Sequence, residues 1–503
     1  MSRARRRARL TTPLIAMSLL TGGLTIWSLG EGRAEAAAPT AGKAATKAAD
    51  DFNGDGYADL VVGAPAATVS GKKQAGYVAV TYGSKKGLDP AKKKLISRSS
   101  SGVPGSAATK QGFGTTVTKG DLDKDGYADL VIGSGRSADG AVIVWGSASG
   151  LTGGTKVDTY GFAPQAGDFD GDGTTDLALF GGAGSFGDDP TDQRANLWKG
   201  PIARTGKPAA VLDFMDKSQW WSYGSDERPD LNCSPEPDKP ESCVDGPRSV
   251  KGPVVPKAVG DINGDGRADI AMNDYYGDGE WGNSVLYGSP TGFKRGRAPG
   301  SAGTLAVGDV NGDRYADLVV ARGRYDDDGK VTVAFGSKDG LRDGTQRFDQ
   351  DLPGVPGAEE PGDALGESLA VADVDGDGYG DIALGTPGED VGSVKDAGSV
   401  VFVRGGAQGV TGTGAQVFHQ NTANVPGVAE KGDAFGAAVA LLDVNGDGRP
   451  DLAASSTAEN AQAGAVWSLP GTASGLTAKN SVAFGPKDLG TPYAAAQFGK
   501  PLR

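Results

Sequence analysis

Seven nonapeptides of this 503-residue chain place oxygen-bearing side chains at alternate positions. They read DFNGDGYAD from Asp51, DLDKDGYAD from Asp121, DFDGDGTTD from Asp168, DINGDGRAD from Asp261, DVNGDRYAD from Asp309, DVDGDGYGD from Asp373 and DVNGDGRPD from Asp443. Position 3 is Asn53, Asp123, Asp170, Asn263, Asn311, Asp375 or Asn445, and position 5 is Asp55, Asp125, Asp172, Asp265, Asp313, Asp377 or Asp447. Position 7, which can offer a backbone carbonyl, is Tyr57, Tyr127, Thr174, Arg267, Tyr315, Tyr379 or Arg449. Position 9 is always aspartate: Asp59, Asp129, Asp176, Asp269, Asp317, Asp381 and Asp451. Oxygen donors at positions 1, 3, 5, 7 and 9 around a glycine bend are how a short loop wraps Ca²⁺. Without Cys or His the set disfavours zinc and copper, and it holds more carboxylates than Mg²⁺ usually recruits from protein. Structural Ca²⁺, up to seven ions, is the expected cofactor. The competing reading is a set of solvated Asp/Gly turns, against which stands the mutual repulsion of the packed carboxylates. In the fifth copy Arg314 replaces the bend glycine, which predicts a strained loop.

The loops recur with the elements that must position them. A short apolar run ending in glycine follows each, as in Leu60-Val61-Val62-Gly63-Ala64-Pro65, and reads as a buried strand. A second strand and a G-S-x-x-G turn come next, at Tyr82-Gly83-Ser84, Trp145-Gly146-Ser147, Tyr287-Gly288-Ser289 and Phe335-Gly336-Ser337. Upstream of the loops, Val103-Pro104-Gly105, Val355-Pro356-Gly357 and Val425-Pro426-Gly427 share one register, as do Phe113-Gly114, Leu365-Gly366 and Phe435-Gly436. One unit is repeated: strand, acidic loop, strand, hairpin, strand, G-S turn and fourth strand, a four-stranded meander as in a propeller blade. An EF-hand is disfavoured, because Ile132 stands where its twelfth-position Glu belongs and a β-run follows.

Composition agrees. With 83 Gly, 38% hydrophobic and 7% aromatic residues, the chain is too polar for a membrane bundle and turn-rich enough for an all-β fold. Its net charge of −13 is nearly cancelled by seven divalent cations, so the acidity reads as metal demand. No basic stripe suggests nucleic acid as a partner. Residues 1–36 read as a signal peptide: arginines at 3, 5, 6, 7 and 9, an apolar run over Leu10–Leu29 and a small-residue site at Ala34-Glu35-Ala36. An uncleaved anchor is the alternative, weakened by Thr, Ser, Gly and Pro within the run; the arginine cluster leaves the twin-arginine route open. Residues 37–50 form a linker, and 51–503 the repeat domain with an insertion near 201–252. In an exported chain, Cys233 and Cys243 predict a local disulfide.

The chain resembles the FG-GAP repeats of the integrin α-subunit propeller, with Phe113-Gly114 and Phe435-Gly436 as the FG and Val62-Gly63-Ala64-Pro65 as the GAP. The resemblance implies an all-β, seven-bladed β-propeller of four-stranded blades with calcium-binding hairpin loops. It also implies an extracellular binding or adhesion module for a protein or glycan. The first copy lacks an upstream FG strand and the chain ends in Gln497-Phe498-Gly499, so the C-terminal strand is expected to complete blade 1. Meander geometry puts all seven loops on one face and the longest insertions on the other. There Trp220, Trp221 and Tyr223, with Tyr275, Tyr276 and Trp281 of the next blade, form a candidate partner patch; the alternative is that these rings pack the insertion onto the disk. Catalysis finds little support: the sole histidine, His419, has no nucleophile motif beside it. The expected protein is a secreted or cell-surface monomer, not an enzyme; an enzyme or lectin acting on polysaccharide through the insertion face is the alternative.

Overall fold

The computed structural model describes residues 50–136, 139–186, 189–191, 193–215, 253–277, 279–322 and 329–503. Residues 47–503 form one compact unit. The apolar run after each acidic loop becomes a central strand; six of these are buried from end to end, as in Leu60–Ala64, Asp129–Ser134 and Asp381–Thr386, while Asp269–Gly277 of blade 4 is buried as far as Tyr275, with Tyr276 exposed and Gly277 partly so. A strand that is apolar on both faces must be covered on both, and here the neighbouring blades do so. The fourth strands, such as Thr152–Val157, are largely exposed and correspondingly polar.

Six antiparallel four-stranded sheets form blades 2 to 7. Blade 2 runs Phe113–Gly120, Asp129–Ser134, Ala141–Trp145 and Thr152–Val157 from the inside outwards. Blades 3 to 7 repeat the order from inner strands Gln165–Gly167, Val254–Gly260, Thr304–Gly308, Ser368–Ala372 and Ala438–Leu442. Blade 1 has three strands of its own, Leu60–Ala64, Tyr77–Thr81 and Lys93–Ile96. Its fourth position is taken by the C-terminal residues: Val61 N–H donates to Arg503 O at 2.8 Å, Arg503 N–H returns to Val61 O at 3.1 Å, and Leu502 bridges Val62. Gly499 N–H donates to Gly63 O at 3.0 Å, the same bond that Gly366 makes to Gly385 inside blade 6 at 2.9 Å. The architecture is a seven-bladed β-propeller.

The hydrophobic core is divided among the joints. Seven apolar clusters lie one between each pair of neighbouring blades, and the cluster joining blade 7 to blade 1 includes Leu60, Val62, Leu442, Val466, Phe484 and Phe498. The FG and GAP glycines exist for these joints. The phenylalanines Phe113, Phe435 and Phe498 are wholly buried, and each donates its N–H across the joint, to Ala75, Ala397 and Ala463 O. A Cβ on Gly385 would lie 2.0 Å from Gly436 O, so only glycine lets the two backbones approach this closely.

Candidate metal loops

Within each loop the position-1 aspartate organises the backbone. Asp51 Oδ1 accepts the N–H groups of Gly54 at 2.6 Å and Asp55 at 3.2 Å, and Asp51 Oδ2 accepts that of Gly56 at 2.8 Å. Asp168, Asp309 and Asp373 make the corresponding bonds. Position 3 accepts the position-5 N–H whether it is Asp or Asn: 3.1 Å at Asp170, 2.9 Å at Asn53 and 2.9 Å at Asn311. Asn therefore substitutes for Asp without changing the loop. In three loops the carboxylate oxygens of positions 1, 3 and 9 lie within 4.8 Å of one another: Asp121/Asp123/Asp129, Asp168/Asp170/Asp176 and Asp373/Asp375/Asp381.

The position-9 aspartate does a second job that the spacing did not reveal. It is buried in all seven loops. One of its oxygens accepts the N–H of position 2 and the other the N–H of the G-S-turn glycine: Leu122 at 2.9 Å and Gly146 at 2.7 Å for Asp129, Ile262 and Gly288 both at 2.9 Å for Asp269. Asp451 departs from this, with Gly471 N–H at 2.9 Å on Oδ1 while its buried Oδ2 has no hydrogen bond. Burial pushes the carboxyls of Asp59, Asp129, Asp269, Asp317, Asp381 and Asp451 up to about 7 and that of Asp176 to about 6, in spite of the N–H donors. An all-oxygen donor set built on a carboxylate that burial alone would protonate fits a hard divalent cation.

The loops also lock to one another. In five loops the position-8 N–H donates to the position-1 carbonyl of the preceding blade, as in Ala58 to Asp443 at 3.1 Å, Ala128 to Asp51 at 3.0 Å and Ala316 to Asp261 at 3.0 Å; position 8 of the seventh loop is Pro450, which has no N–H. The position-7 side chain lies over the position-4 glycine of the preceding loop: a Cβ on Gly54 would come 2.5 Å from the Tyr127 ring, and one on Gly264 2.7 Å from Tyr315. The second loop alone has lysine at position 4, Lys124 at φ 61°, and there the following blade offers the small Thr174. Arg314, expected to strain its loop, does sit at φ 74°, and its N–H still reaches Asp309 Oδ2 at 2.8 Å.

Sequence reading missed the cations that stand on the loops. Arg204 reaches Asp123 and Asp125, each at 2.6 Å, Lys199 reaches Asp170 at 2.7 Å, and Arg342 reaches Asp313 at 2.7 Å. Arg267 contacts Asp265 and Arg404 contacts Asp375. Nothing in the nonapeptides signals Arg204, Lys199, Arg342 or Arg404, which lie beyond them on the third strand or the connection after it, whereas Arg267 is position 7 of its own loop.

The aromatic patch fares differently. Trp220, Trp221, Tyr223, Cys233 and Cys243 lie outside the described residues. Tyr275 is 2% exposed, packs its ring 5.2 Å from that of Trp281 and accepts the Gly279 N–H at 2.7 Å, so it offers no face to a partner. Tyr276, next to it on the strand, is half exposed. His419 lies just past the Thr411–Phe418 strand, in a turn where its N–H donates to Thr422 Oγ1 at 3.0 Å.

Comparison with known proteins follows this geometry. The FG-GAP repeat model matches residues 48–81, 113–145, 301–333, 365–403 and 435–469, which fall in blades 1, 2, 5, 6 and 7. The chain is 31% identical over 196 residues to the phosphatidylinositol-glycan-specific phospholipase D of Rattus norvegicus, covering 36% of this chain and 22% of that protein. It is 37% identical over 110 residues to integrin alpha pat-2 of Caenorhabditis briggsae (22% of this chain, 8% of that one) and 39% identical over 85 residues to human integrin alpha-8 (17% and 7%). The matched segments thus span less than a quarter of each of these relatives. Among the described residues no helix is long and apolar enough to cross a membrane. The chain carries FG-GAP repeats in five of the seven blades of its β-propeller, and over these segments it resembles integrin α chains.

Proposed function

We propose that this chain is an exported, calcium-binding propeller that serves as an extracellular adhesion or binding module for a protein or glycan. The observation that carries the proposal is the ring of seven acidic loops with one shared backbone design, each with a buried position-9 carboxylate. Residues 1, 3, 5 and 9 of each loop and the position-7 carbonyl would hold Ca²⁺, which supplies positive charge where burial disfavours the free carboxylates. The ions act as staples, because each loop is bonded to its own G-S turn and five of the seven also to the preceding blade. In this reading residues 1–36 direct export and 37–50 are a linker. Recognition then falls to the connections on the face away from the loops, where Tyr276 is half exposed. The test is a pull-down with the full chain from extracellular material, with Ca²⁺ and with EGTA. A protein or glycan captured only with Ca²⁺ supports the module; identical capture in EGTA refutes calcium dependence.

The phospholipase D relative favours a second reading, in which the propeller accompanies or carries an activity on a glycan or glycolipid. Turnover of a glycan and glycolipid panel by the purified chain would favour it.

A further inference from the structure

The inner strands of the blades wall a central cavity of about 320 Å³. Its wall is mostly aliphatic, with Val117, Ala166, Val259, Val307, Val371 and Leu441 from six different blades. Into this wall are set three cations, Lys119, Lys257 and Arg503, and one carboxylate side chain, Asp50. Lys119 Nζ stands 3.0 Å from Asp50 Oδ1. Neither Lys257 nor Arg503 has an ion pair among the described residues. The Arg503 guanidinium donates only to the Lys257 carbonyl, at 3.3 Å, and its own backbone oxygen receives the Val61 N–H, which turns it towards blade 1.

Lys257 is aimed here by a local irregularity. In the blade 4 register Ala258 pairs with Ala271 and Pro256 with Met272, which leaves Lys257 as the extra residue of a β-bulge. A bulge redirects a side chain that regular alternation would place elsewhere. Arg503 occupies the inner strand of blade 1, so the same cavity collects cations from three blades. Desolvation pulls Lys257 below the ordinary lysine range and the nearby Arg503 charge adds to this, while Glu367 opposes it. The surrounding protein carries a net charge of −13, so the local excess of positive charge is not a general property of the surface. Arg503 is exposed and Lys257 and Lys119 are partly so, and Asp50 faces Arg503 while Glu367 faces Lys257; three cations against these two carboxylates leave an excess of positive charge, and a cleft with low-dielectric walls focuses its attraction for an anion. A guanidinium fork beside an ammonium matches a tetrahedral oxyanion.

We propose that the central cavity is a binding site for a small multivalent oxyanion of the phosphate or sulfate class, held by Arg503 and Lys257 with Lys119 beside them. The site is separate from the calcium reading and survives its failure. A free ion and a sulfate carried on a sugar present the same group to these residues.

The test titrates the full chain with sodium sulfate and sodium phosphate by calorimetry, with glucose 6-sulfate as a further arm. Saturable binding of one ion per chain is expected. Lys257→Gln and Arg503→Gln should each weaken it about tenfold or more, the ordinary worth of a charge-assisted contact, whereas Lys338→Gln, an exposed lysine paired with Asp339, should not. Equal or tighter binding of the sugar sulfate identifies a carried group as the source; binding of the inorganic ions alone identifies the free ion. Absence of saturable binding to the wild-type chain, or unchanged affinity in the double variant, overturns the proposal. Should the variants not fold, selenate-soaked wild-type crystals decide: an anomalous peak between Lys257 and Arg503 supports the site, and none there overturns it.

Discussion

Replacing Asp129 by Asn separates the two jobs of the position-9 carboxylate. Its oxygens accept N–H groups from Leu122 and Gly146 at 2.9 and 2.7 Å in a fully buried setting. The carboxamide keeps one acceptor and turns an NH₂ towards the other N–H, so one buried donor loses its partner at a cost of about 1–3 kcal/mol. Without calcium, relief of a buried charge offsets little of this, because burial already holds the carboxyl near 7 and half protonated at neutral pH. With calcium at ~100 times its dissociation constant, one site contributes about 2.7 kcal/mol, and D129N forfeits that as well. An unfolding entropy of ~2.1 cal/mol/K per residue over about 450 residues makes each kcal/mol worth ~1 °C. Melting curves of wild type and D129N should therefore differ by ~1–3 °C in EGTA and by roughly 3 °C more in excess Ca²⁺. An equal rise in Tm on adding calcium to both proteins would refute the ligand role, and coincident curves in EGTA would refute the staple role.

Other outcomes follow from the same geometry. In EGTA the folded chain holds protons on its position-9 aspartates up to about pH 6–7, whereas the unfolded chain releases them near the ordinary aspartate value of 3.8. Stability therefore falls as pH rises through this window; Tm in EGTA should be higher at pH 5 than at pH 7.5, with the slope flattened by excess Ca²⁺, and a rise with pH in EGTA would contradict the burial argument. Gly146→Ala places a Cβ 2.2 Å from Ala128 O, an overpacking cost of about 1–3 kcal/mol that urea titration should show and calcium should not restore. Arg204→Ala removes a competing cation from Asp123 and Asp125; since Arg204 is 45% exposed the effect is modest, about 2–5-fold tighter calcium binding to that loop by calorimetry.

Much of this molecule could be read from periodic features. The seven nonapeptides, the G-S turns and the FG pairs each repeat in register, and a unit that repeats in register must repeat in space. The loops were legible because their residue types are dictated by local chemistry. What escaped was everything set between repeats. The position-4 glycine is required by the position-7 side chain of the following blade, a contact about seventy residues away for Gly54 and Tyr127, and no single nonapeptide contains both partners. The glycine of the G-S turn, readable as a turn residue, is needed because it abuts the position-8 carbonyl. Of the cations on the loop carboxylates, Lys199 and Arg404 end third strands and Arg204 and Arg342 sit in the connection that follows, all outside the nonapeptides. The aromatic patch was misjudged at Tyr275 for a reason the sequence did contain: Tyr275 and Tyr276 are neighbours on one strand, Asp269–Gly277, and point to opposite faces, so both could not join one exposed surface.

The central claim is that the acidic loops are calcium staples of a closed ring. Desalted protein purified with Ca²⁺ should retain several calcium ions per chain, up to seven, when metal is counted by plasma mass spectrometry, and EGTA should strip them and lower Tm by several degrees. A chain that retains no calcium and melts at the same temperature in EGTA and in excess Ca²⁺ would contradict it.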